Sequence, residues 1–254
     1  DGITPHLAVV LIGDDASSHA YVRQKELKMQ QIGGIVTTHR FQSDFTQEKL
    51  VTLIEELNKD ATVHGIIIQR PLPPHIDKDL ISTITAQEKD VDGFKTDSPF
   101  APPVALAVWR ILKEIHAQSN TDDQFETWLK NNKIALIGKG VTAGQPIIHF
   151  LTKRHIPFTV ISSQTDNRED LIRKATIIIS AVGKPHVITP EMISPGVILI
   201  GVGMFKGDDG KMHADYEEEE TEPKASFYTP VPGGVGPVNV AMLLSNVIKA
   251  AESL

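Results

Sequence analysis

Short apolar runs recur along the chain and alternate, for most of its length, with stretches read as helices. LAVVLI (7–12) predicts a strand that ends in the turn Gly13-Asp14-Asp15. A helix is predicted over 18–32, capped by Ser17 or Ser18 and closed by Gly33-Gly34. IVTTHRF (35–41) alternates and is rich in β-branched residues, so it reads as a strand. Leu50, Val51, Leu53, Ile54 and Leu57 repeat with helical period in 46–59, with Thr46 at the N-cap. VHGIIIQ (63–69) is the continuous apolar run of a parallel strand covered on both faces. It runs into Arg70-Pro71-Leu72-Pro73-Pro74, a loop that can extend neither a helix nor a central strand. A short helix over 79–84, a polar turn over 89–94 and a helix from Pro102-Pro103 to about His116 follow.

Gln118 to Asp123 is polar and reads as a linker, after which 124–129 adds a helical turn or two. The pattern then restarts. Strands are predicted at 133–138, 158–162, 176–182 and 197–203, with helical pieces at 145–154, 170–174 and 190–193 between them. Residues 205–224 are polar, and Glu217 to Glu220 read as a solvated charge run on a loop. A Pro/Gly-dense loop, 229–237, leads into a last helix over 238–251. Strands that alternate with helices throughout predict an α/β protein with parallel sheets, in two units.

A chain of 254 residues, 41% hydrophobic, can bury one large α/β domain or two small ones. The formal net charge of −7 argues against nucleic-acid binding through phosphate neutralisation. With no cysteine there are no disulfides and no thiolate chemistry, which suits a reducing cytosol. No apolar run reaches membrane-spanning length, and no signal peptide is visible; the chain begins at Asp1 without a methionine. The ten histidines are scattered, so no metal site is expected.

Candidate chemistry concentrates at strand ends. Tyr21 and Lys25 share a helix face just past the first strand, where open α/β sheets bind ligands. The turn Gly138-Lys139-Gly140-Val141-Thr142-Ala143-Gly144 lies between strand and helix, as a pyrophosphate-binding turn does, although its spacing is G-x-G-x-x-x-G. The next strand ends in Ser162-Ser163 rather than in a carboxylate that would hold a ribose 2′-hydroxyl. Ser163 with Lys139 would tolerate a 2′-phosphate, which tilts the choice toward NADP over NAD. Gln69 ends a buried strand before a rigid loop, where it can aim its amide into a site or merely cap its own strand. Asp90 and Asp92 either form Asx-turn hydrogen bonds or offer a ligand-binding carboxylate.

Taken together, HLAVVLIGDDASSHAYVRQKELK (6–28), GIIIQRPLPPHID (65–77), KDVDGF (89–94), ALIGKGVTAGQP (135–146), ISAVGKPHVITPEMISPGVILIGVG (179–203) and YTPVPGGVGPVNVAMLL (228–244) closely resemble the bifunctional methylenetetrahydrofolate dehydrogenase/methenyltetrahydrofolate cyclohydrolase family of FolD type. The resemblance covers nearly the whole chain. It implies two α/β domains flanking a cleft, the second a Rossmann-like dinucleotide-binding domain. The first domain would comprise residues 1–117 with 236–254, and the second 118–235. It implies oxidation of methylenetetrahydrofolate with NADP, then hydrolysis of the methenyl product to 10-formyltetrahydrofolate, with no metal. By the same resemblance, Lys25 is the catalytic lysine, Tyr21 packs on the folate ring, Gln69 hydrogen-bonds the lysine and tunes it, and Asp92 reads the N–H edge of the pterin. Ile68, Pro232, Gly233 and Gly234 line the substrate. Gly138, Lys139, Gly140, Ser163, Met204, Gly236 and Asn239 serve the cofactor. A cytoplasmic homodimer is the family's usual form. A lysine that works partly deprotonated needs burial or a positive neighbour, so Lys25 is expected to lie in the cleft, touch Gln69 and form no ion pair with Asp92.

Departures from the family pattern fall on the dehydrogenase side. The usual Arg-Ser of the glycine turn is Lys139-Gly140 here, which removes a phosphate-binding fork and a hydroxyl. The usual Pro-Cys-Thr-Pro is Pro102-Pro103-Val104-Ala105, a usual threonine is Asn239, and a usual aspartate is Gly201. Two alternatives follow: a cyclohydrolase with weak or lost dehydrogenase activity, or a non-catalytic paralogue that binds folate or nucleotide.

Overall fold

A computed structural model of the protein describes residues 2–119 and 121–253. The chain forms two compact units, Asp1–Pro103 with Val240–Leu254, and Val104–Asn239.

The first unit is built on three parallel strands, β1 (His6–Ile12), β2 (Ile35–Phe41) and β3 (Gly65–Ile68), in the order β2-β1-β3. The central strand β1 is buried from Leu7 to Ile12, which accounts for its unbroken apolar run. Its alternate side chains feed two layers. Leu7, Val9 and Leu11 pack with Val22 and Met29 of α1 (Ala16–Gln31), and with Val240, Leu243, Leu244 and Val247 from the C-terminal helix. Ala8, Val10 and Ile12 pack with Leu50 and Ile54 of α2 (Gln47–Lys59) and Ile81 of α3 (Lys78–Ile84). The edge strand β2 alternates between exposed and part-buried residues over its first half, as its sequence predicts. The cap of α1 is Asp15, not Ser17 or Ser18. Its carboxylate accepts from the Ser18 N–H (2.7 Å) and the Ser17 hydroxyl (2.6 Å), so the serines are donors at this end.

The second unit holds α4 (Pro103–Gln118, from Val104 on), α5 (Phe125–Asn131), β4 (Ile134–Ile137), α6 (Gly144–Lys153), β5 (Thr159–Ile161), α7 (Arg168–Lys174), β6 (Ile177–Ser180) and β7 (Val197–Gly201). It continues with β8 (Met204–Lys206), β9 (Met212–Ala214), α8 (Glu218–Thr221), β10 (Ala225–Tyr228) and the start of α9 (Val235–Ser253). Its main sheet is parallel, in the order β10-β7-β6-β4-β5. The order in which successive strands are laid down reverses between β4 and β6, which makes the C-terminal ends of those two strands the switch point of a doubly wound fold.

Further features depart from the sequence reading. Residues 205–224 contain a β8–β9 hairpin, and the glutamate run forms α8, where Glu218 accepts the Val231 N–H at 2.6 Å rather than standing free in water. The edge strand β10 has only four residues, too few to carry a period. Helix α9 begins at Val235, because Pro237 falls in its first turn, where its missing N–H costs nothing. The composition change at 117/118 does not mark the unit boundary, which falls at 103/104. Helix α4 belongs to the second unit through Trp109, which packs edge-on against Phe125 (4.9 Å) and Phe150 (5.5 Å). No helix among the described residues is long and apolar enough to cross a membrane.

Candidate active site

In the first unit, strands β1 and β3 end side by side. Gln69 prolongs the ladder by donating its N–H to the Val10 carbonyl (2.9 Å), and strand alternation sends its side chain to the face covered by α1. There its Oε1 accepts from Lys25 Nζ at 2.9 Å, while its Nε2 donates to the Arg70 carbonyl at 2.8 Å. The second bond orients the amide, so its oxygen faces the amine. Lys25 is only 8% exposed. Burial pushes its ammonium below the ordinary lysine range, and the charge of Asp92 partly opposes that. Asp92 is held above the usual carboxylate range by burial, against the pull of Lys25 and Arg70. Among the described residues no ion pair joins Lys25 to Asp92. Tyr21 lies one helical turn before Lys25 and is partly buried, which raises its phenol and keeps it protonated.

The turn that carries Asp92 is fastened from several sides. Lys89, buried, donates to the Leu57 and Asp60 carbonyls (3.0 and 2.7 Å) at the end of α2. Asp90 accepts from the Phe94 and Lys95 N–H groups (3.3 and 2.9 Å), and burial lifts it to about 6. Gly93 has φ +63°, and a Cβ there would lie 2.6 Å from the Phe100 carbonyl oxygen, so glycine is required. The two aspartates therefore divide the work: Asp90 builds the turn, and Asp92 makes no such turn bond. Sequence reasoning missed Arg70. Its guanidinium donates to the Ser82 hydroxyl (2.6 Å), lies over the Phe94 ring (4.7 Å), and lines a small pocket with Asp90 and Asp92. A cation between an apolar strand and a proline is the only signal that could have marked it. Ile68, the last residue of β3, lines the same pocket.

In the second unit the glycine turn follows β4 at the switch point. Gly138 has φ +101°, and a Cβ on it would lie 2.5 Å from the Ala181 carbonyl oxygen beyond β6. A Cβ on Gly144 would collide with the Gly138 carbonyl. These glycines let the turn fold onto itself and onto its neighbour. Between them Lys139, Gly140, Val141 and Thr142 are exposed. Helix α6 opens at once, with no side chain capping its N-terminus. Its first N–H groups and dipole therefore suit a pyrophosphate, so the residues fit a dinucleotide. Ser163 lies exposed just past β5, while the Ser162 hydroxyl is engaged by the Gln164 N–H (3.3 Å). Met204 opens β8, half-buried. Pro232, Gly233 and Gly234 form the turn before α9, and Gly236 and Asn239 lie in its first two turns; all belong to the second unit. At Gly201 the space of the missing side chain is taken by Tyr216, whose hydroxyl lies 3.1 Å from where a Cβ would be. That hydroxyl donates to the Thr229 carbonyl (2.7 Å), and Gly201 N–H donates to Thr229 Oγ1 (2.8 Å). Neither Tyr216 nor Thr229 carried a signal in the sequence.

Comparison with known proteins accounts for both units. Residues 1–92 match the catalytic domain of tetrahydrofolate dehydrogenase/cyclohydrolase, and residues 102–254 match its NAD(P)-binding domain. The chain is 36% identical to the bifunctional protein FolD of Campylobacter concisus over 261 residues, covering 99% of this chain and 89% of that protein. The crystal structure of the bifunctional enzyme FolD-methylenetetrahydrofolate dehydrogenase/cyclohydrolase from Campylobacter jejuni is similar with a TM-score of 0.90 at 35% identity, over 99% of this chain and 89% of that one. The Trypanosoma brucei FolD enzyme, complexed with NADP and an inhibitor, gives a TM-score of 0.86 at 29% identity, over 98% and 87% of the two chains. With both family domains matched in order along one chain, the protein belongs to the tetrahydrofolate dehydrogenase/cyclohydrolase family.

Proposed function

We propose that the protein oxidises methylenetetrahydrofolate to methenyltetrahydrofolate with NADP and hydrolyses the product to 10-formyltetrahydrofolate, with Lys25 as the catalytic group. The buried Lys25–Gln69 hydrogen bond beside Asp92 carries this reading. The methenyl product is a cation whose bridging carbon is attacked by water. The water must lose a proton as its oxygen bonds that carbon; the C–N bond to one ring nitrogen then breaks as that nitrogen gains a proton, and the remaining O–H proton leaves to solvent as the formyl C=O forms. An amine with a depressed pKa can take the first proton and return it. Gln69 holds that amine by its oxygen and so leaves the rest of the nitrogen for water. Tyr21 stacks on the substrate ring, the Asp92 carboxylate accepts from N–H groups of the pterin, and Ile68, Pro232, Gly233 and Gly234 line the folate.

NADP, when bound, supplies the acceptor for the hydride of the one-carbon bridge. Gly138, Lys139, Gly140 and the N-terminus of α6 would hold its pyrophosphate, Lys139 and Ser163 its 2′-phosphate, and Met204, Gly236 and Asn239 its nicotinamide half. Lys139 offers a point charge in place of a fork, so preference for NADP over NAD is weak. A cytoplasmic homodimer completes the reading.

The test follows NADP reduction and methenyltetrahydrofolate hydrolysis in one preparation. Both activities are expected, with hydrolysis falling at least ~100-fold in Lys25→Met. Hydrolysis without reduction of NADP or NAD would leave a hydrolase only, and full hydrolysis in Lys25→Met would remove the lysine from the mechanism.

A further inference from the structure

One carboxylate in the second unit lies far from the surface and is unused by the chemistry above. Asp215, which follows β9 directly, is fully buried, and among the described residues no cation pairs with it. Its Oδ2 accepts from the Ser180 hydroxyl (2.6 Å) and the Val182 N–H (2.9 Å), and its Oδ1 from the N–H groups of Gly183 (2.7 Å) and Lys184 (3.0 Å). All four partners are donors, and three are consecutive backbone N–H groups that curl around the carboxylate as around a bound anion. Room for it is made by Gly203, where a Cβ would collide with Oδ2.

The segment so held is the loop beyond β6. The Ala181 carbonyl oxygen lies 2.5 Å from where Gly138 would carry a Cβ, so this loop and the glycine turn after β4 are in contact. These two loops are the walls of the switch-point crevice, where doubly wound sheets take their ligand. Each wall also exposes one valine, Val141 on the glycine turn (48%) and Val182 on the 181–184 loop (36%). Among the described residues they are the exposed large hydrophobics of the second unit. Exposed apolar groups on a ligand crevice suit the face of a planar ring.

We propose that Asp215 is a positioning residue for the dinucleotide: it holds the 181–184 loop in the shape that sets Val182 opposite Val141 as an apolar wall of the cofactor crevice. The inference rests on the dehydrogenase reading above. It assigns a part in cofactor affinity to a residue set behind the crevice wall.

Asp215→Asn tests it, because an amide turns one acceptor into a donor that faces donors. The expected result is an NADP KM raised at least tenfold, with methenyltetrahydrofolate hydrolysis, whose catalytic groups Lys25, Gln69 and Asp92 lie in the first unit, within twofold of the parent. A parallel loss of both activities would show a merely structural role and overturn the proposal, as would an unchanged NADP KM. Should Asp215→Asn fail to fold, Val182→Asp decides: a higher NADP KM with hydrolysis intact supports the crevice wall, and an unchanged KM removes it. A parent protein that reduces neither NADP nor NAD overturns the dehydrogenase reading itself. A parent that reduces NADP normally beside an unaffected Asp215→Asn overturns only this inference.

Discussion

The first unit builds its site from side chains: the Gln69 amide bonded to Lys25, and the Asp92 carboxylate, which feels both Lys25 and the Arg70 guanidinium that shares its pocket. The crevice of the second unit is made of main chain, with a glycine turn, the uncapped start of α6 and the loop gripped by Asp215. The two constructions store free energy differently. In the first unit it appears as displaced proton affinities, since burying Lys25 and Asp92 disfavours their charged forms. In the second it appears as backbone shape, in glycines that no other residue can replace. Side chains can therefore change at Lys139 and Gly140 without disturbing the turn, because those positions are exposed, whereas Lys25 is buried and Asp92 half-buried.

The sharpest way to break this contrast is Gly138→Ala. A side chain at φ +101°, with its Cβ 2.5 Å from a carbonyl oxygen, is expected to cost about 2–4 kcal/mol and to raise the NADP KM more than tenfold while sparing hydrolysis. Steady-state kinetics and thermal melting would show it; a normal NADP KM would mean that the dinucleotide binds elsewhere. In the first unit, Asp92→Asn is expected to raise the folate KM about tenfold, through loss of charge-assisted hydrogen bonds. Its pH profile is more telling. The Asp92 carboxylate raises the pKa of Lys25, so its removal lets the amine deprotonate at lower pH. The rising limb of hydrolysis should move toward acid, and a limb that stays in place would separate Asp92 from the lysine. The smallest effect belongs to Tyr216→Phe, which deletes the hydroxyl bonded to Thr229. About 1–2 kcal/mol of stability should go, or a few degrees of Tm, with the NADP KM raised less than in Gly138→Ala. A larger kinetic effect than that would make the tyrosine part of the cofactor site.

Legibility in the sequence follows the same division. The first unit was readable because β1 and β3 are unbroken apolar runs, β2 alternates, and α2 carries cap and period, as at Thr46 and Leu50. Gln69 and Asp92 could be singled out because each stands just past the end of an element, and Lys25 because it shares a helix face with Tyr21 just past the first strand. Asp215 could not, since a carboxylate in a polar stretch looks solvated until the four donors that surround it are placed by the fold. Tyr216 passed unseen for a related reason: the void it fills belongs to Gly201 on another strand. Strand β10 and helix α8 are too short for periodicity to register.

One contact bears on how the protein is made. Asn246 in α9 donates to the Val91 carbonyl at 2.9 Å and to the Ala101 carbonyl at 3.0 Å, across 155 and 145 residues, and so pins the turn that presents Asp92. Val240, Leu243, Leu244 and Val247 of the same helix complete the core around Leu7 and Val9. During synthesis the ribosome delivers the first ninety or so residues early, yet their catalytic turn, already fastened by Lys89 and Asp90, gains its bonds from Asn246 only when α9 emerges. The second unit, translated later, has nearly all its strands in hand before that moment. The unit that is read first is thus completed by a helix made after the second unit, and the turn beside the lysine gains its Asn246 bonds only then.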